Sequence, residues 1–158
     1  MPNSIALALA RNRYEFIERT VREHGLEATR TERDDNGSII CHVEGLVPHL
    51  DFCWSLEIDD EGKAGVEFCL WYLDNPEHQE TCSLYMSYAA EDETWTFGFA
   101  FEPDAKFDSP KGRSMAEKAF GFKEPGERKQ DEESVIVAIN ALLAGYAASL
   151  KKHQAKNT

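Results

Sequence analysis

The chain has 158 residues, 42% apolar side chains and a formal net charge of −12. This length suits one domain, and the apolar content is enough for a hydrophobic core, which argues against a globally disordered chain. The charge is uneven, because residues 34–105 carry 17 acidic side chains and one lysine, whereas the segments on either side are weakly basic. We therefore expect a single domain over residues 1–158 whose central part repels nucleic acid and attracts cationic partners.

The sequence also predicts a cellular compartment. No run approaches the roughly 18 apolar residues that span a bilayer. The apolar start at residues 5–10 is too short for a signal peptide, and arginines follow it rather than precede it. The four cysteines show no C-x-x-C spacing, as is typical of buried thiols in a reducing compartment. These features predict a cytoplasmic protein without membrane association.

The first predicted elements are a helix and a hairpin. Ser4 can cap the start of a helix over residues 4–24, and Gly25 can end it in a left-handed turn. A weak strand over residues 28–33 is joined by an Asp-Asn-Gly turn to a second strand over residues 38–44.

Four further strands are predicted from alternation with a period of two. The turn Asp60-Glu61-Gly62 is typical of a three-residue hairpin loop, and it sets a register in which Trp54 lies opposite Phe68. The apolar positions expected to face inward are Phe52, Trp54, Leu56 and Ile58; Val66, Phe68, Leu70 and Tyr72; Cys82, Leu84, Met86 and Tyr88; and Trp95, Phe97, Phe99 and Phe101.

Residues 103–130 have no clear period and are locally basic, so they are predicted as an irregular loop. A capping-box pattern at Ser114 indicates a short helix within this loop that ends near Phe120. Asp131 can cap a final helix, whose apolar stripe runs from Val135 to Leu150.

Together these elements predict an α+β fold. An antiparallel meander of five or six strands carries the N- and C-terminal helices on one face in a two-layer sandwich. The other face is then open to solvent or to a partner. The strand that contains Phe101 is interpreted as an edge strand, and a homodimer through it is expected if the 103–130 loop leaves it uncovered.

The face opposite the helices is the predicted partner-binding surface. Trp71 and Tyr85 are its large amphipathic side chains, and Asp51, Glu57 and Glu67 are its carboxylates. Aromatic rings supply binding energy at interfaces, while charges steer association. We predict a non-enzymatic interaction protein, inhibitor-like or chaperone-like, that binds a basic surface of another protein. The alternative interpretation is a solvated sheet face with two incidental aromatic residues, or a face that the 103–130 loop covers.

A second functional hypothesis is a small-molecule pocket between the helices and the aromatic face of the sheet. Tyr72, Tyr88, Trp95 and Tyr146 are the residues expected to line it. Domains in which helices pack on a sheet often contain such a cavity.

Catalytic and metal chemistry find little support in the sequence. The histidines fit no recognised ligand spacing, and there is no G-x-S-x-G nucleophile motif. Cys53 opposite His42 is the one conceivable thiol pair, but a small side chain on a sheet face is the simpler interpretation. We predict no enzyme activity, no catalytic residues, no metal and no cofactor.

Overall fold

The computed structural model describes residues 4–75, 80–102 and 108–156. Within these ranges the chain forms three helices and seven strands of the α+β class. In chain order the elements are α1 (Ser4–Glu23), β1 (Arg30–Arg33), β2 (Ile39–Val47), β3 (Leu50–Ile58), β4 (Ala64–Asn75), β5 (Glu80–Ala89), β6 (Thr94–Glu102), α2 (Pro110–Phe120), β7 (Gly126–Gln130) and α3 (Glu132–Lys156).

The seven strands form one antiparallel meander in the order β1 to β7. The α+β class and the antiparallel sheet are therefore confirmed, but the predicted count of five or six strands is too low. The additional strand, β7, lies in the part of the chain that was predicted as an irregular loop. Its sequence Gly-Glu-Arg-Lys-Gln is charged and exposed, so it lacks the apolar alternation by which strands are recognised.

The prediction that the strand of Phe101 lies at a sheet edge is wrong for most of that strand. β7 pairs with β6 from Trp95 to Phe99 and covers its backbone there. The homodimer was expected only if this strand was left uncovered, and that condition is not met from Trp95 to Phe99. Among the described residues the outer strands of the sheet are β1 and β7, and the charged side chains of both are typical of protected edges.

All three helices pack on the same face of the sheet, here called the inner face. The Tyr14 hydroxyl of α1 lies 3.4 Å from the Cys41 sulfur on β2. In α3 the Tyr146 ring meets Phe52 at 4.8 Å between centroids. In α2 the Phe120 ring stacks on a phenylalanine of β6 at 4.5 Å. The helices and this face share one hydrophobic core.

The predicted register is confirmed at the centre of the sheet. Trp54 lies opposite Phe68, and Cys53 lies opposite Cys69 on the other face. Gly62 has a φ of 82°, as the three-residue hairpin loop requires. The side chains that alternate with the core residues therefore share the face without helices, here called the outer face.

The helix in the predicted loop begins earlier than expected. Ser109, not Ser114, is its N-cap, and the Ser109 hydroxyl accepts a hydrogen bond from the Gly112 amide at 3.0 Å. Gly121 ends this helix with a φ of 84°. The earlier start gives α2 the length to run across the inner face and to form one wall of a cavity.

Helix α3 is long and apolar enough to cross a membrane, judged by length and composition alone. Its most apolar stretch of 18 residues has a mean hydropathy of 1.5. A core helix passes the same test, and Val135, Ile139 and Leu142 are buried against the rest of the protein. Packing accounts for part of this apolar content, since Ile136 and Val137 of the same helix are exposed. The absence of membrane association stays a prediction.

Candidate functional site

The five residues predicted for partner binding lie together on the outer face of the three central strands. Asp51 on β3 lies opposite Trp71 on β4, and Tyr85 on β5 lies opposite Cys69 on β4. Along β4, Cys69 lies between Glu67 and Trp71 on the same face. Glu57 lies one diagonal step from Glu67, across the pair that Glu57 makes with Gly65. Diagonal neighbours in a sheet lie about 7–8 Å apart, so these side chains form one continuous surface.

Glu57 and Glu67 are the electrostatic centre of this surface. Glu67 is half-buried, and burial followed by the nearby charge of Glu57 raises the pKa of its carboxyl group above the ordinary glutamate value. Its hydrogen bond from the Ser87 hydroxyl, at 3.2 Å, offsets only part of this effect. Among residues 4–75, 80–102 and 108–156, no cationic side chain lies within ion-pair distance of either carboxylate.

A shallow groove of about 720 Å³ runs beside these carboxylates, at the end of the outer face where the hairpin turns meet. Glu57, Asp59 and Asp92 contribute carboxylates to its lining, and Lys63 and Lys129 contribute amines. The groove therefore extends the acidic surface toward the turns.

Tyr85 is held flat against the sheet. Its ring covers Gly98 on the neighbouring strand so closely that an added Cβ there would lie 2.4 Å from the ring carbon Cζ. The Tyr85 hydroxyl donates a hydrogen bond of 2.8 Å to Glu127 of β7. Burial, followed by this bond, raises the pKa of Tyr85 to about 12. The ring is thus preorganised as an apolar platform, because its hydroxyl is already bonded.

Asp51 and Trp71 lie side by side on the outer face but have different contacts within the protein. The Asp51 carboxylate accepts a hydrogen bond of 2.9 Å from the Gly45 amide, at the bulge where β2 leaves its regular pairing. Asp51 therefore stabilises this bend as well as adding charge. Trp71 is half-exposed beside it on the outer face.

The thiols of the outer face are poorly suited to nucleophilic catalysis. Cys53 lies opposite His42, as expected, but burial followed by the charges of Glu67 and Glu57 raises the pKa of the Cys53 thiol to about 12. Burial also raises the pKa of Cys69. His42 makes its hydrogen bond to Glu32 at 2.9 Å. In the described ranges no group of three or more potential metal ligands is present.

A separate cavity of about 390 Å³ lies on the inner face, between α2, α3 and the turn that joins β2 to β3. Tyr72 and Tyr146 line it, as the second hypothesis predicted. Tyr146 is 1% exposed, and burial followed by the charge of Asp51 raises the pKa of its hydroxyl to about 12. That hydroxyl has no hydrogen-bond partner among the described residues.

Tyr88 and Trp95 do not line this cavity. They pack against each other at 5.1 Å between ring centroids, at the other end of the sheet. The guanidinium of Arg13 lies 4.6 Å from the Tyr88 ring centroid and also pairs with Glu132 at 2.9 Å. These two aromatic residues belong to the core beside the middle of α1 and the start of α3, so the cavity brings together two of the four residues predicted to line the pocket.

Two lysines at the cavity were not among the residues predicted to line a pocket. Lys111 and Lys118 of α2 line it together with Met115 and Ala119. The spacing of these four residues places them on one side of a helix, which is the signal that would have identified them. That signal was unavailable because the helix was predicted to start at Ser114, three residues after Lys111.

Comparisons of the chain with protein-family models, with curated proteins and with solved structures found no match.

Proposed function

We propose that this protein is a non-enzymatic interaction module that binds a basic surface of a partner protein through its outer sheet face. The observation that carries this proposal is the half-buried Glu67 beside the exposed Glu57, a pair that has no cationic partner among the described residues. Burying a carboxylate without a cation is unfavourable, and two neighbouring carboxylates repel each other. An arginine or lysine of a partner removes both penalties at once.

The neighbouring aromatic rings supply the apolar part of the interface. Trp71 is half-exposed, and Tyr85 is fixed over Gly98, so little conformational entropy is lost when a partner covers them. Interfaces typically combine a few such anchors with charges that accelerate encounter. An inhibitor that competes for a basic groove and a chaperone that shields a basic segment are both forms of this function.

The test is calorimetric titration of the protein with an arginine- and lysine-rich peptide that also contains aromatic residues. The double variant Glu57→Lys/Glu67→Lys is expected to weaken binding by about tenfold or more, because like charges replace attractive contacts. Trp71→Ala is expected to weaken it by about tenfold through loss of an anchor.

The matched control is Glu15→Lys/Glu23→Lys. Both glutamates are exposed on α1, on the other side of the sheet, and the control changes the net charge by the same amount. If the control weakens binding as much as Glu57→Lys/Glu67→Lys does, the attraction reflects net charge alone and the proposed surface is wrong. Unchanged binding in all the outer-face variants has the same consequence.

A second function is favoured by the cavity of the inner face. Its volume of about 390 Å³ falls in the range of small-molecule sites, and its lining is mainly apolar. We propose that it binds a small molecule independently of the outer face, because the β-sheet separates the two surfaces.

A further inference from the structure

The cavity of the inner face differs in charge from the rest of the chain. The protein has 29 acidic and 17 basic lysine and arginine residues, yet the described residues that line the cavity include Lys111 and Lys118 and no carboxylate. Among the described residues neither lysine forms an ion pair. The Lys111 amine lies 5.7 Å from the Tyr72 ring centroid, close enough for a weak cation–π contact.

The interior of the cavity is apolar. Its lining includes the apolar side chains Val47, Leu50, Leu70, Met115 and Leu142 together with the Tyr146 ring. The lysines belong to the exposed side of α2, so the cavity combines an apolar interior with a cationic rim. This combination matches a ligand with an apolar chain and one anionic end.

Gly145 is an exposed residue that lines the cavity. It lies within α3, where glycine costs about 1 kcal/mol relative to alanine. A Cβ added at Gly145 would meet no atom within 4 Å. The helix therefore has a position at which a side chain is sterically allowed and would narrow the cavity.

We propose that the cavity binds a small amphipathic anion, with its apolar chain against Leu70 and Leu142 and its anionic head between Lys111 and Lys118. This inference rests on the second proposed function, binding of a small molecule by the inner face. A carboxylate and a phosphate head share this chemistry, because an ammonium group binds either as a point charge. Tyr146, whose buried hydroxyl has no hydrogen-bond partner among the described residues, also lines the cavity.

The test is isothermal titration of the full chain with octanoate, with octyl phosphate and with the neutral 1-octanol. Both anions are expected to bind at one site and more tightly than octanol. Each added methylene, from octanoate to decanoate, is expected to raise affinity by about fourfold until the cavity is filled. Preference for octyl phosphate over octanoate, or the reverse, identifies the head group.

Two pairs of variants separate the parts of the proposal. Gly145→Leu is expected to abolish binding by filling the mouth, whereas Gly145→Ala is expected to keep binding and to stabilise α3 by reducing the glycine penalty. Lys111→Gln/Lys118→Gln is expected to lower octanoate affinity on the order of tenfold while octanol binding persists. The matched control Lys63→Gln/Lys129→Gln removes two lysines that lie at the outer-face groove and is expected to leave octanoate affinity unchanged.

The outcomes distinguish the ligand class from the site. If octanol binds as tightly as octanoate, or if the cavity lysines and the control lysines have equal effects, the anionic class is overturned while a small-molecule site stands. If Gly145→Leu binds every probe as the unaltered chain does, or if no probe shows saturable binding, both the anionic ligand class and the small-molecule site are overturned. Binding of anionic lipid vesicles without saturable binding of octanoate would instead identify a membrane-surface role.

Discussion

The two sides of the sheet have opposite electrostatic characters although they are built from the same strands. On β4, Glu67 and Trp71 face outward to an acidic surface, while Leu70 and Tyr72 face inward to a cavity with a lysine rim. The alternation of side chains along a strand makes this separation possible. The charge of the chain as a whole therefore says little about the ligand of either side.

The two sides also differ in how binding would be organised. On the outer face, the Tyr85 ring and the carboxylates Glu57 and Glu67, which have no ion-pair partner in the described part of the chain, form the surface proposed for a basic protein. On the inner face, α2 and α3 enclose a concave site that suits a small molecule. A variant that impairs one side without the other is the strongest support for two separate functions.

The largest effect is expected from Gly112→Ala, which should disturb the inner face alone. An added Cβ would lie 2.5 Å from the Cys82 Cβ and 2.9 Å from the Ser109 hydroxyl. We expect α2 to move away from β5, with a loss of about 1–3 kcal/mol in the free energy of unfolding and weaker octanoate binding. Chemical denaturation and titration check this, and peptide binding by the outer face should not change.

Gly145→Ala is the control for that prediction, because its added Cβ meets no atom within 4 Å. Gly112→Ala variants that gain stability as Gly145→Ala does would contradict the close contact between α2 and β5.

A smaller effect is expected from Gly98→Ala, which should disturb the outer face alone. The added Cβ must displace the Tyr85 ring and break its hydrogen bond to Glu127. We expect a loss of about 1 kcal/mol in unfolding free energy and weaker binding of the basic peptide. Tyr85→Phe keeps the ring and removes only the hydroxyl, so peptide binding by this variant should be retained. Equal binding by Gly98→Ala and the unaltered chain would show that the ring position is irrelevant.

The smallest effect is expected from Glu67→Gln and depends on pH. Burial and the charge of Glu57 raise the pKa of Glu67 in the folded chain. The folded chain therefore binds a proton at Glu67 more readily than the unfolded chain does. The carboxyl group therefore destabilises the fold as pH rises from the ordinary glutamate value of 4.5 through its raised pKa. We expect Glu67→Gln to be more stable than the unaltered chain at pH 7, with a difference that vanishes below the ordinary value.

Thermal unfolding over a pH series measures this difference. A Glu67→Gln variant that is less stable than the unaltered chain at neutral pH would mean that Glu67 already has a cationic partner. The same linkage predicts that peptide binding strengthens as pH rises through the Glu67 pKa, because the peptide favours the ionised carboxylate.

Much of the fold was predictable because its signals are local. Alternating apolar residues and the Gly62 turn predicted the β3–β4 register, and this in turn placed Glu57 and Glu67 on one face. β7 was not predictable in this way, since an exposed edge strand buries no apolar side chains. Its position depends on pairing with β6, a contact between distant parts of the chain.

The inner site was less predictable than the outer one. The periodicity of the sequence predicts that Tyr72 and Tyr146 face the interior between helices and sheet. Whether a cavity forms there depends on how far α2 and α3 lie from the sheet. That distance is set by packing contacts such as Gly112 against Cys82, which no local pattern encodes. Tyr88 and Trp95 lie on the same face of the sheet as Tyr72, yet they pack at its opposite end.

The central claim is that the two sides bind different ligands, and NMR spectroscopy of one sample tests it most directly. The indole N–H of Trp71 reports the outer face, and the methyl group of Met115 reports the cavity. We predict that the basic peptide shifts the Trp71 signal and not the Met115 signal, and that octanoate does the reverse. Shifts of both signals by either ligand, at matched occupancy, would contradict the claim.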